Sequence, residues 1–158
     1  MNWHEKNAEF NALIKQLFHD GNWHKRAEAA RQLGLIKESR ATNLMCRALR
    51  IEKDRMVINK IIEALGRIGD SRATLRIIEK LEEEQVENEI DKYRVIYIIE
   101  SLMKIKDKRA LSYLSPLLNS SDEEIKTLTL KAFDLIEPNW KEIVERERNK
   151  SIQEIFRK

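Results

Sequence analysis

Residues 63–73 read EALGRIGDSRA, and the two glycines, the acid and the arginine in this stretch could together grip a phosphate or a nucleotide. Phosphate-binding loops follow a strand and use the spacing G-x-G-x-x-G or G-x-x-x-x-G-K-[ST], neither of which occurs here. We therefore interpret Gly69 as the left-handed end of one helix and Asp70 as the cap of the next. Gly66, inside the first helix, predicts that a neighbouring backbone approaches closely.

All three histidines lie near the start of the chain, at His4, His19 and His24, and they raise the hypothesis of a metal site. No H-E-x-x-H motif and no cluster of cysteine and histidine supports it, so we expect no metal and no cofactor. Asn-Trp-His occurs at both His4 and His24, and is explained better by two helix starts, each with an asparagine cap and a tryptophan covering the core. The single cysteine, Cys46, matches a buried position and is a poor nucleophile.

The composition predicts an all-α protein, because glycine and proline are rare while strong helix formers dominate the 158 residues. No run approaches the roughly 18 consecutive apolar residues that a membrane span requires, and the first residues lack the apolar core of a signal peptide. We therefore expect a cytoplasmic protein without a membrane partner. The 30 basic and 27 acidic residues nearly balance. The chain has no long basic run of the kind that binds nucleic acid. Nucleic acid is therefore a possible but disfavoured partner.

A short motif recurs along the chain and organises it into repeats. Its copies lie at residues 32–42, 64–74 and 101–111, with a degenerate copy at 132–138, and successive copies are 32, 37 and 31 residues apart. The larger middle spacing indicates an insertion near residues 83–89. Each copy separates two amphipathic helical patterns, and neither helix can bury its apolar stripe alone.

The pattern predicts tandem antiparallel helix pairs within one domain. First helices are expected near residues 3–19, 39–50, 71–85, 108–119 and 138–148. Second helices are expected near residues 23–36, 55–68, 91–105 and 122–136. The single domain, 1–158, then divides into an N-terminal repeat at 1–37, repeats at 38–69, 70–106 and 107–136, and C-terminal capping helices at 137–158. The alternative for this last segment is that it docks on a partner.

An arginine occupies the first turn of three of the first helices, at Arg40, Arg72 and Arg109. The helix dipole disfavours a cation there by about 0.3–1 kcal/mol, so another interaction must offset it. Our hypothesis is that each arginine bonds to a carboxylate or a loop carbonyl of the adjacent repeat. The alternative is a solvated arginine without a partner.

The motif L-G-x-I-G-D-x-R-A, clear at Leu65–Ala73 and weaker at Leu33–Ala41 and Leu102–Ala110, resembles the HEAT-like repeats named after phycobilisome lyases. The resemblance covers roughly residues 22–138. It implies an α-solenoid whose second helices line the concave side. The family includes lyases, iron-dependent hydroxylases and binding scaffolds, so it does not fix the activity. The hydroxylases use several His-Glu pairs, whereas this chain has one, His4-Glu5.

The outward positions of the second helices mix both charges with two tyrosines, and tyrosine and arginine are favoured at protein interfaces. We therefore expect a non-catalytic scaffold or adaptor that binds another protein along the concave face, with Tyr97 and Arg67 as anchors. The alternatives are a nucleic-acid-binding protein or a lyase-type enzyme subunit of the same fold. The predicted partner-binding residues are Arg31, Lys60, Glu63, Arg67, Tyr93, Tyr97, Glu100, Lys104 and Lys131.

Overall fold

The computed structural model describes residues 1–157, and within them the chain forms helices and turns without a strand. This confirms the predicted all-α solenoid. No helix in the described part is long and apolar enough to cross a membrane. The helices are α1 Trp3–His19, α2 Trp23–Ile36, α3 Thr42–Ile51, α4 Arg55–Ile68, α5 Thr74–Gln85, α6 Lys92–Ile105, α7 Leu111–Leu114, α8 Glu123–Ile136, α9 Trp140–Arg146 and α10 Ile152–Phe156.

The second helices α2, α4, α6 and α8 lie where the sequence predicts them, because each has a clear polar cap. Helices α6 and α8 begin one residue later than expected, since Asp91 and Asp122 are themselves the capping residues. The first helices differ more from the prediction. Three of them begin with a 3-10 turn, at Ser39–Ala41, Ser71–Ala73 and Lys108–Ala110, and the α-helix follows.

The prediction of one helix over residues 108–119 is wrong. Helix α7 ends at Leu114, and a 3-10 segment, Ser115–Asn119, follows. The reason is Pro116, which has no N–H to donate to the carbonyl of Ser112. The Ser115 hydroxyl donates to that carbonyl instead, at 2.8 Å, so the break leaves it satisfied.

The second helices pack side by side through positions where only a very small residue fits. A Cβ atom on Gly66 would lie 2.7 Å from the Cα of Ser101, and one on Gly34 would lie 2.9 Å from the Cα of Ala64. The Ser101 hydroxyl also donates to the carbonyl of Ile62 at 2.8 Å, which ties α6 to α4. The first helices pack against one another much less. This closer spacing is expected to curve the stack towards the second helices, and their place on the concave side stays a prediction.

Replacing Gly66 by alanine is expected to destabilise the protein by about 1–3 kcal/mol, because the new methyl group meets the backbone of α6. The matched control is Gly21→Ala, since a Cβ on Gly21 meets no atom within 4 Å. That control is expected to stay within about 0.5 kcal/mol of the parent. Urea unfolding followed by circular dichroism measures both, and equal midpoints would contradict the close packing.

The loop arginines form the predicted contacts between repeats at two of the three positions. Arg72 Nη2 donates to the carbonyl oxygen of Ser39 in the preceding repeat at 3.0 Å, and its guanidinium also bonds to Asp70 of its own turn. Asp70 in turn accepts from Thr42 of the preceding repeat at 3.1 Å. The hydrogen bond from Arg72 is the main reason that the pKa of Asp70 falls to about 2. This carboxylate thus joins two repeats.

Arg109 repeats the arrangement, and Arg40 departs from it. Arg109 Nη2 donates to the carbonyl oxygen of Ser71 at 3.1 Å. Arg40 has no earlier loop motif to reach, so it donates to the side-chain oxygen of Asn7 at 2.7 Å and lies over the ring of Phe10, 3.8 Å from the ring centroid. Helix α1 therefore takes the place of a loop motif at this end of the stack.

An Arg72→Ala variant is expected to lower Tm by about 2–4 °C, because the contact between the two loops and the partner of the Asp70 carboxylate are both lost. Arg31→Ala is the matched control, since among residues 1–157 Arg31 pairs only with Glu28, on its own helix. That exposed pair should contribute less than about 1 °C. Differential scanning calorimetry compares the two variants. An unchanged Tm for Arg72→Ala would mean that the arginine contacts do not stabilise the stack.

The connection between α5 and α6 spans residues 86–91 and is held by contacts between the two helices that flank it. The Glu84 carboxylate accepts from the backbone N–H of Asp91 at 2.9 Å and lies 3.5 Å from the Arg94 guanidinium. Arg94 is buried between α4 and α6, where its Nε donates to the side-chain oxygen of Asn59. The hydrogen bond to Asn59 and the nearby Glu84 carboxylate offset the cost of burying this cation.

The C-terminal helices fold back on the last repeat. Ile155 is buried, and the Phe156 ring packs edge-on against Phe133 with the centroids 5.9 Å apart. Trp140 is also buried, and its Nε1 donates to Asp134 at 2.8 Å. These contacts cover the end of the core formed by α7 and α8. That residues 137–158 act as a cap stays a prediction.

Candidate functional site

The predicted partner-binding residues lie on the outward surfaces of α2, α4, α6 and α8, which we call the second-helix face. Six of them are exposed, namely Arg31, Arg67, Tyr93, Glu100, Lys104 and Lys131. Lys60, Glu63 and Tyr97 are half-buried. Tyr97 packs against the core, whereas Tyr93 is 72% exposed. The more accessible of the two tyrosines is therefore Tyr93.

Some of the charges on this face are paired within one helix. Arg31 bonds to Glu28 with both edges of its guanidinium, and Lys60 lies 3.6 Å from Glu63. A cavity of about 460 Å³ opens between α6 and α8 and brings together only Glu100 and Lys131 of the predicted residues. The predicted set is thus a spread of surface positions over four helices. It does not form one pocket.

A larger cavity, of about 500 Å³, lies on the side of the first helices, and its residues were not predicted as a site. It opens between α3 and α5, because these helices are spread apart while the second helices are in close contact. We call it the arginine groove. Its lining residues are Asn43, Cys46, Arg47, Arg50, Ser71, Arg72, Leu75, Arg76 and Arg109.

The arginine groove carries an excess of positive charge. Arg72 and Arg109 are each bonded to the aspartate two residues earlier in their own turn. Arg50 and Arg76 share one carboxylate, since both donate to Oε1 of Glu79, at 3.2 and 2.5 Å. Within residues 1–157, Arg47 has no carboxylate within 4 Å. Five guanidinium groups thus face three carboxylates.

The sequence gives little sign of this groove, because its walls are separated along the chain by α4. Arg47 and Arg50 lie three residues apart on α3, and Arg72 and Arg76 lie four residues apart at the start of the next repeat. Residues at these spacings share one helix face. The signal that could have revealed the groove is therefore two arginine pairs on successive first helices. A search for a continuous basic run cannot find it.

Cys46 lies at the floor of the arginine groove and is only 7% exposed. Burial raises the pKa of its thiol to about 11, because an apolar environment disfavours the thiolate more than the guanidinium of Arg76 favours it. The thiol is thus protonated at neutral pH. This is the state expected of a structural cysteine and not of a nucleophile.

Alkylation of Cys46 by iodoacetamide at pH 7.5 is expected to be at least about tenfold slower than that of free cysteine, because the thiolate is the reacting form. The same protein in urea is the control, since unfolding exposes the thiol and restores its ordinary pKa. Mass spectrometry follows both reactions. Rapid alkylation of the folded protein would show that Cys46 is available as a nucleophile.

The histidines are placed at helix starts and ends, and Asn2 and Asn22 cap the helices that follow them, as predicted. The tryptophans behave differently from the prediction. Trp3 is 69% exposed, and Trp23, at 37% exposed, stacks on the ring of its neighbour His24, so neither is buried in the core. In the described part of the chain, no group of three or more histidine, cysteine or acidic residues is arranged to hold a metal ion.

Comparison with known proteins identifies the family of the repeats. A family model described as HEAT repeats matches residues 10–90. The chain belongs to the HEAT-repeat family. It is 30% identical over 129 residues to the bilin biosynthesis protein PecE of Mastigocladus laminosus, covering 78% of this chain and 46% of that protein. The same protein of Nostoc sp. (strain PCC 7120 / SAG 25.82 / UTEX 2576) is 29% identical over 129 residues, covering 78% of this chain and 49% of the relative.

These matches confirm the resemblance to the repeats named after phycobilisome lyases and correct the expected function. The expectation of a non-catalytic scaffold, and of no enzyme activity, is wrong, because both relatives are named for the biosynthesis of a bilin. That expectation had little physical support, because a repeat pattern determines the fold and leaves the activity open. The chain spans about half the length of the relatives it matches.

Proposed function

We propose that this chain is the HEAT-repeat part of a lyase-type protein that handles a bilin. A bilin is an open-chain tetrapyrrole, with an extended apolar body and two propionate carboxylates. The observation that carries the proposal is the 129-residue match with two bilin biosynthesis proteins. The match extends over the repeats that build both faces of the molecule, which makes those faces the candidate surfaces for the bilin and its partner.

The chemistry of the arginine groove supports the proposal. Its volume of about 500 Å³ falls within the range of roughly 300–1,000 Å³ found for sites that bind small molecules. Guanidinium groups bind carboxylates through two parallel hydrogen bonds, so the groove suits the propionates. Leu75 and the aliphatic stems of the arginines supply apolar contact surface for the rings.

The state of Cys46 limits what the groove does with the bilin. A protonated, buried thiol does not form a covalent bond with the ligand at neutral pH. In our proposal the groove therefore binds and orients the bilin without a covalent link. The reaction itself then requires a second protein or a part of the molecule outside the repeats.

The second-helix face is our proposed surface for that second protein. Its exposed mixture of charges and the accessible ring of Tyr93 are typical of a polar protein interface. HEAT-type repeats form extended concave surfaces that bind other proteins. That the predicted residues from Arg31 to Lys131 contact the partner stays a prediction, and so does the cytoplasmic location.

Titration with biliverdin, a bilin with two free propionates, tests the proposal directly. We expect a saturable change in its visible absorption and an induced circular dichroism signal, at one bilin per chain. Haemin is the control, because it carries two propionates on a rigid closed ring and should bind at least about tenfold more weakly. A biliverdin spectrum unchanged up to the solubility limit would contradict the proposed function.

A further inference from the structure

We infer that the arginine groove is a carboxylate site in which Glu79 is the resting counter-ion, displaced when a ligand carboxylate binds. The inference rests on the proposed function for its ligand class, a bilin with two carboxylates. It adds that some of the arginines position the groove while others bind the ligand, and that Glu79 sets the affinity. The evidence lies in how the five guanidinium groups use their hydrogen-bond donors.

Two of the arginines are already occupied by structural contacts. Arg72 and Arg109 each bond to both oxygens of an aspartate and donate to a carbonyl of the preceding repeat. Three acceptor atoms thus surround each guanidinium, which leaves few donors for a ligand. These two arginines hold the walls of the groove in place. They are positioning residues in the site.

The other three arginines retain free binding capacity. A guanidinium has five N–H donors in a fixed fork, yet Arg50 and Arg76 direct one bond each to the same oxygen, Oε1 of Glu79. No side chain within residues 1–157 is bonded to Arg47. A ligand carboxylate bound through two parallel bonds would satisfy more donors than Glu79 does.

The position of Glu79 suits a displaceable group. It belongs to α5 and accepts from Arg50 on α3, so it bridges the two walls of the groove. Its side chain is 42% exposed, and ion pairs at such exposure are held weakly. Without an anion, the facing guanidinium groups would repel one another across the opening. Glu79 relieves this repulsion until a ligand carboxylate replaces it.

The geometry also offers two separate cationic positions. Arg47 lies on the α3 wall, while Arg76 lies on the α5 wall. A ligand with two carboxylates joined by a flexible chain can reach both walls, whereas a single carboxylate can reach one. The groove therefore favours a dicarboxylate such as a bilin over a compound with one acidic group.

The test compares the biliverdin affinity of three variants with that of the parent protein. Glu79→Gln keeps the side-chain shape and removes the competing charge, so we expect binding about three- to fivefold tighter. Arg47→Ala removes a donor that has no partner among residues 1–157, and it should weaken binding about tenfold. Glu147→Gln is the matched control, because Glu147 is an ion-pair partner of similar exposure, bonded to Lys150 in the C-terminal segment. It should leave the affinity unchanged.

Biliverdin dimethyl ester separates carboxylate recognition from binding of the rings. The parent should bind the ester at least about tenfold more weakly than the free acid, and Glu79→Gln should not improve that binding. Equal affinity for acid and ester, together with no effect of Glu79→Gln and Arg47→Ala, would overturn the inference and leave the proposed function intact. Failure to bind either compound would overturn both. Thermal melts of each variant confirm that the protein compared is folded.

Discussion

The close contact between neighbouring second helices is the constraint on which the rest of the structure depends. At Gly66 the backbone of α4 comes so near to Ser101 of α6 that a side chain cannot fit, and Gly34 makes the same approach to Ala64. Such contacts fix the distance between repeats on one side of the stack. Because the first helices contact one another much less, the other side of the stack is more open.

This difference between the two sides explains where chemistry can occur. The tight side presents a polar surface on which some of the charges are paired within the same helix. The open side leaves a gap between α3 and α5, and the loop arginines that align the repeats also line one end of that gap. Arg72 and Arg109 thus serve the fold and the groove together. The cavity is a consequence of how the repeats are stacked.

The repeat pattern was sufficient to predict the fold because each of its features has a local physical cause. Gly69 ends a helix with φ of 77°, Asp70 caps the following turn, and the close approach at Gly66 follows from its place inside a helix. The break at Pro116 departs from the predicted helix, because proline lacks the required donor. The arginine groove could not be read in the same way, since it depends on the spacing between helices that are distant in sequence.

The measurement that tests this account most directly is the NMR spectrum of the arginine Nε–H groups with and without biliverdin. If the ligand carboxylates bind in the arginine groove, the signals of Arg47, Arg50 and Arg76 should shift on titration. The signal of Arg31, on the second-helix face, should stay unchanged. Shifts confined to Arg31 and Arg67 would place the bilin on the concave side and contradict the central claim that the open side of the stack holds the site.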